Sequence, residues 1–200
     1  TLFAECPFAR AIEVEGAGTY PQCSTYRRCL VMVDVDEDNS YFVDFFTVVS
    51  ASKEHVHPVH SVHYSLHGPP GDFRMIGGEW TEPATGTLAG ENVRVGEFYD
   101  APELAAAGYT GSYAGYTGSG FQHLTNVQRL KEGDDWVAEW SHEKDPEARL
   151  RIRYLSPPDQ EVLMAEAQGS PVKHKQRIKY LIARRTGEQL ISRFVSVIEP

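Results

Sequence analysis

Two runs of strand-forming residues stand almost end to end near the N-terminus, YRRCLVMVDVD from Tyr26 to Asp36 and YFVDFFTVV from Tyr41 to Val49, joined by the acidic, turn-forming stretch DEDNS. β-Branched and aromatic side chains suit a pleated, half-buried surface, and a short polar link between two such runs reads as a hairpin. In the first run Val31, Val33 and Val35 share one face at period two while Asp34 and Asp36 take the other, the pattern of a strand with one side on a core. A helical period fits worse.

The same reading predicts strands in ENVRVGEFY (Glu91 to Tyr99), DWVAEWSHE (Asp135 to Glu143), ARLRIRYL (Ala148 to Leu155), IKYLIARR (Ile178 to Arg185) and SRFVSVIEP (Ser192 to Pro200). Turn signals fall between them: Pro69-Pro70-Gly71, Gly77-Gly78, Asp145-Pro146, Pro157-Pro158-Asp159 and Thr186-Gly187. Strands and turns in this rhythm predict an all-β fold, a large antiparallel β-sandwich of the supersandwich type, with residues 1–200 as a single domain. One short helix is expected at Ala101 to Ala107, with Asp100 as cap, Pro102 in the first turn and Gly108 as the stop. The Gly/Tyr/Ser/Thr stretch from Gly108 to Gly120 follows as a long loop. Its Tyr109, Tyr113 and Tyr116 have ring faces suited to stacking on sugars, although an inter-strand flap is the simpler reading.

A hydrophobic fraction of 41% with 24% charged residues is enough apolar material for a core. The net charge of −9 repels phosphate backbones and anionic membranes, so nucleic-acid and membrane-surface partners are disfavoured. No apolar run approaches the roughly 20 residues that span a bilayer as a helix. Cys6, Cys23 and Cys29 form an odd set without metal-type spacing, which leaves at least one thiol free or bonded outside the chain.

The segment from Glu54 to Gly68, EHVHPVHSVHYSLHG, holds five of the eight histidines. If Ser61 to His67 is a strand, His63 and His67 lie about 13 Å apart along it and do not share a metal. His55 and His57, about 7 Å apart in an extended chain, form a possible two-ligand zinc pair, but spacing assigns no third ligand. The favoured reading is a solvated His-rich turn, with no metal site and no cofactor assigned within this chain.

There is no G-x-S-x-G elbow, no cysteine with a diagnostic partner histidine, and no phosphate-binding loop or dinucleotide fingerprint. Arg149, Arg151 and Arg153 alternate with Leu150, Ile152 and Tyr154, forming a basic stripe on one strand face. The stripe reads first as a solvated face paired with nearby acids such as Glu143, Asp145 and Glu147, and second as a docking line for a carboxylated glycan. Alternation sends either Arg27 or Arg28 inward or to a rim, where it needs a carboxylate partner; Asp44 on the adjacent strand is the candidate.

Taken in order, YRRCLVMVDVDEDNSYFVDFFTV, HYSLHGPPGDF, SGFQHLTNVQR and YLIARRTGEQLISRFVSVIEP resemble the C-terminal β-rich region of heparinase II/III-like polysaccharide lyases over nearly the whole chain. The resemblance implies a sandwich that frames an acidic polysaccharide or oligosaccharide against an N-terminal α/α toroid, in proteins that cleave uronate-containing glycans by β-elimination in a periplasmic or secreted setting. That reaction needs the uronate carboxylate neutralised, the C5 proton removed by a Tyr or His, and a proton given to the leaving O4. The family's H-x-H-x-D segment, D-P-G turn and H-N-T strand are absent from this chain, so its structural zinc is not carried over to any residue here. The expectation is a fragment of a longer lyase, non-catalytic in isolation, with Arg28, His63, Tyr64 and His67 nearest the substrate cleft. The alternatives are a free-standing carbohydrate-binding or structural module, and a small metal enzyme built on the histidines.

Overall fold

The computed structural model describes residues 1–16, 23–50, 60–67, 71–91, 120–131, 136–155, 160–168, 177–187 and 189–200. Along these the chain forms β1 (Leu2–Cys6), β2 (Ala9–Glu15), β3 (Cys23–Asp34), β4 (Ser40–Ser50), β5 (His60–His67), β6 (Phe73–Ile76), a 3-10 turn (Gly120–His123), β7 (Thr125–Arg129), β8 (Val137–His142), β9 (Asp145–Tyr154), β10 (Glu161–Gln168), β11 (Arg177–Gly187) and β12 (Ile191–Glu199). They assemble into an eight-stranded sheet in the order β1-β2-β3-β4-β12-β9-β8-β6 and a four-stranded sheet in the order β5-β11-β10-β7. Every strand pairing among the described residues is antiparallel, so the predicted all-β sandwich is the fold observed.

The two sheets are joined by a core that draws on both. Phe46 and Val48 of β4, Trp140 and Ala138 of β8, Ile152 and Tyr154 of β9 and Phe194 of β12 pack against Val162 of β10 and Leu181 and Ala183 of β11. A fully buried side chain of the size of Phe194 or Leu181 contributes roughly 1.5–3 kcal/mol relative to exposure. The Tyr154 hydroxyl donates to the Leu181 carbonyl at 3.0 Å, so the one polar atom that this ring carries into the core has its partner in the facing sheet. The other face of the smaller sheet is covered too: Val127, Leu163, Ala165, Ala167 and Ile182 pack under Leu88 and Leu124. With both faces buried, Val162 to Ala165 of β10 form a continuous apolar run and not an alternating one.

The larger sheet is wider than its cover. One cross-strand row runs Phe3–Ile12–Leu30–Asp44–Ser196–Tyr154 over six neighbouring strands. Its outer members are open, with Phe3 63% exposed, whereas Asp44 and Ser196 are fully buried. β1, β2 and β3 therefore form an overhang beyond the smaller sheet. This explains why β3 departs from the predicted one-sided pattern: Leu30 to Asp34 are all half-buried, since neither face of the overhang is sealed.

Several local expectations are corrected. The turn assigned to Asp145-Pro146 lies at Glu143-Lys144, and Asp145 opens β9 opposite His142. β1, β2, β6, β7 and β10 had no predicted strand. Gly77-Gly78 does turn the chain, at φ of 75° and 68°, and a Cβ on Gly78 would stand 2.6 Å from Leu130 Cδ1. The expected helix Ala101 to Ala107, residues 92–99 of the expected strand Glu91 to Tyr99, Tyr109, Tyr113, Tyr116, and the His55–His57 pair lie outside the described residues.

Candidate functional site

The inner face of the overhang combines an open apolar floor with one anchored guanidinium. Arg28 belongs to the row Val14–Arg28–Phe46–Phe194, which crosses from the overhang into the core. Its side chain is 50% exposed and reaches diagonally to Asp44, which is fully buried. The Arg28 Nε donates to both Asp44 oxygens at 3.0 Å, and Nη2 donates to Oδ2. The sequence-predicted Arg28–Asp44 partnership is thus present, because β3 and β4 pair in register and alternation puts both side chains on the inner face. The buried carboxylate fixes the planar fork while leaving half of the arginine side chain at the surface.

Around Arg28 the floor is Val14, Ile12, Leu30 and Phe3, with Phe3, Ile12 and Val14 all exposed. Arg28 sits in the larger sheet, whereas His63, Tyr64 and His67 sit on β5 of the smaller one. There the register sets His63 opposite Arg184, Tyr64 opposite Ala183 and His67 opposite Tyr180. β5 is the edge strand of its sheet and approaches β4, next to β3, so the four residues belong to strands that border the same step between sheets.

The arginine stripe is a half-exposed face paired with an acid, as its favoured reading expects, but the acid is a different one. Arg149 and Arg151 pair not with the hairpin acids Glu143, Asp145 and Glu147 but with Glu139 on β8, as does Arg74 on β6. Glu139 lies on the outer face of the larger sheet and is only 3% exposed. Hydrogen bonding from Arg151 holds its carboxyl below the usual carboxylate range; burial opposes this, and the Arg74 hydrogen bond and the Arg74 and Arg149 charges reinforce it. Sequence order hides the cluster, though a lone acid between Ala138 and Trp140 in an aromatic strand is a signal that something must neutralise it.

A third charged group lies at one end of the smaller sheet. Glu166 accepts from Arg177 Nε at 2.7 Å, from Asn126 Nδ2 at 3.0 Å and from Lys179 Nζ. Burial pushes this carboxyl up, but those three partners outweigh it and hold it down to about 2. Close by, a cleft of about 410 Å³ is lined by Gly71, Asp72, Ser141, His142, Glu143, Pro146 and Arg177; it contains none of the sequence-predicted site residues. Among the described residues no three His, Cys, Asp or Glu side chains converge as a metal site, and no helix is long and apolar enough to cross a membrane. Compared with known proteins, the chain matches no family model and no curated protein.

Proposed function

We propose that this chain is the β-sandwich of a heparinase II/III-like polysaccharide lyase and that the inner face of the β1–β3 overhang holds a uronate-containing glycan. The observation that carries the reading is Arg28, a half-exposed side chain whose guanidinium is fixed by a buried carboxylate at the border of an open apolar floor. Sugars place C–H faces on apolar surface and hydroxyls on polar groups, and a uronate adds a carboxylate that a preset guanidinium fork matches. β-Elimination begins with neutralisation of that carboxylate, which is the part of the chemistry Arg28 is suited to supply. The proton-transfer groups of the family lie largely on its toroid, so the sandwich binds glycan and does not by itself turn it over.

The test is to titrate the chain with alginate, heparan and chondroitin oligosaccharides, following binding by calorimetry and the unsaturated product by its absorbance. Saturable binding without product, weakened at least about tenfold by Arg28→Gln and partly restored by Arg28→Lys, is the expected result. Robust elimination by this chain alone, or binding indifferent to Arg28, would overturn it.

A further inference from the structure

On the opposite face of the larger sheet, Glu139 organises three arginines that it cannot neutralise. β8 lies between β6 and β9, with Glu139 directly across from Arg74 on one side and from Arg151 on the other. Arg149 stands one alternation away, opposite Ser141. Side chains directly opposite in a sheet are close neighbours, so one carboxylate contacts all three. Arg74 Nε lies 2.8 Å from Oε1, Arg151 Nε 2.8 Å from Oε2 and Arg149 Nη1 3.2 Å from Oε1.

The charge and donor arithmetic is unbalanced. Three guanidiniums meet one buried carboxylate; Glu199 lies across from Arg151 on β12, and Glu147 stands two residues from Arg149 on β9. Roughly fifteen N–H donors face about four acceptor positions on Glu139. Each arginine side chain is about half exposed, so the surplus donors are directed from a rigid strand lattice toward solvent. A solvated face needs no such convergence on one buried acid. What the arrangement is built to accept is an oxyanion, held by forks that are already in place.

We infer that the outer face of β6, β8 and β9 is a second anion site, which takes the carboxylate or sulfate groups of an acidic polysaccharide lying across the strands. The whole-chain charge of −9 repels any polyanion at long range, so a ligand is held by the local excess of positive charge at the cluster. A continuous polyphosphate meets the surrounding acids, whereas a glycan with separated charges on a neutral backbone needs only the cluster. The site stands on the outer face alone and does not depend on Arg28.

The two faces are read separately by titrating the isotope-labelled chain and following backbone amide shifts. The probes are inorganic sulfate, oligogalacturonate, a sulfated oligoglucan and neutral dextran. Saturable shifts on β6, β8 and β9 with either acidic glycan are expected, with dextran silent and sulfate far weaker. Arg149→Gln removes the longest of the three contacts and leaves Glu139 two partners; it should weaken the outer-face response about five- to tenfold, and Arg149→Lys should restore most of it. Loss of inner-face shifts in Arg28→Gln concerns the other proposal only. An unchanged outer-face response in Arg149→Gln, equal response to dextran, or sulfate binding as tightly as the glycans would overturn the inference. Should Arg149→Gln fold poorly, absence of outer-face shifts in the unsubstituted chain overturns it equally.

Discussion

The covered and uncovered parts of the eight-stranded sheet are made of similar side chains in different company. Under the smaller sheet, Phe46, Phe194, Tyr154 and Trp140 are sealed on the inner face; the Tyr154 hydroxyl finds the Leu181 carbonyl, whereas the buried Trp140 indole N–H has no hydrogen-bond partner. In the overhang, Phe3, Ile12 and Val14 continue the same rows at the same spacing and remain open. Both parts are paired strands of one sheet, and what separates these rows is tertiary cover. Stability resides where the second sheet sits, and inner-face surface available to a ligand resides where it does not.

The comparison is broken most severely by truncation. Phe194→Ala in the covered part should cost about 3–5 kcal/mol, the range for emptying a packed aromatic site, whereas Ile12→Ala in the overhang should cost about 1 kcal/mol or less. Denaturant midpoints of the two variants measure this, and equal losses would mean that the overhang is covered in solution. The Arg28–Asp44 pair at the border comes next, and it should respond asymmetrically. Arg28→Met takes the guanidinium from a fully buried carboxylate and should cost roughly 2–3 kcal/mol; Asp44→Asn removes the charge from beside a half-exposed arginine and should cost about 1 kcal/mol.

How much of this could be read from the sequence follows the same division. β3, β4, β8, β9, β11 and β12 announce themselves through β-branched and aromatic runs, and Arg28–Asp44 followed from one hairpin register. β2, ARAIEVE, carries charges among its apolar residues because neither of its faces is sealed, so there is no core pattern to detect. β10, EVLMAEAQ, has helix-forming composition and is a strand because β7 and β11 flank it and both its faces are buried. The Glu139 cluster needed something no periodicity supplies, namely which strands are neighbours. β12 enters between β4 and β9, leaving β8 to meet β6 across a sequence separation of 65 residues.

Acid offers a gentler probe, confined to the smaller sheet. Glu166 has its carboxyl depressed from 4.5 to about 2 in the folded chain, where three donors outweigh its burial. A depressed folded value means that the contribution is complete above the unfolded value and is lost as pH falls from about 4.5 toward 2. Screened by solvent, it should amount to about 1–2 kcal/mol. The stability difference between the parent chain and Glu166→Gln should therefore shrink over that interval, and a difference independent of pH would remove the assignment.

The smallest effect concerns the thiols, which happen to sample the boundary between the two parts. Cys6 is exposed on β1 at the outer edge of the overhang, and Cys23 packs against the main core where β3 begins. Cys29 lies between them in position along the sheet, half-buried on β3. Burial pushes the Cys23 thiol up; burial also raises Cys29, followed by the charges of Glu13 and Asp44, with Arg27 opposing. Since the thiolate is the reactive form, both raised and partly covered thiols should be alkylated more slowly than Cys6, by about tenfold or more at neutral pH. Mass-resolved labelling of the folded chain gives the three rates directly. Three equal rates would mean that β1 is no more open than the start of β3.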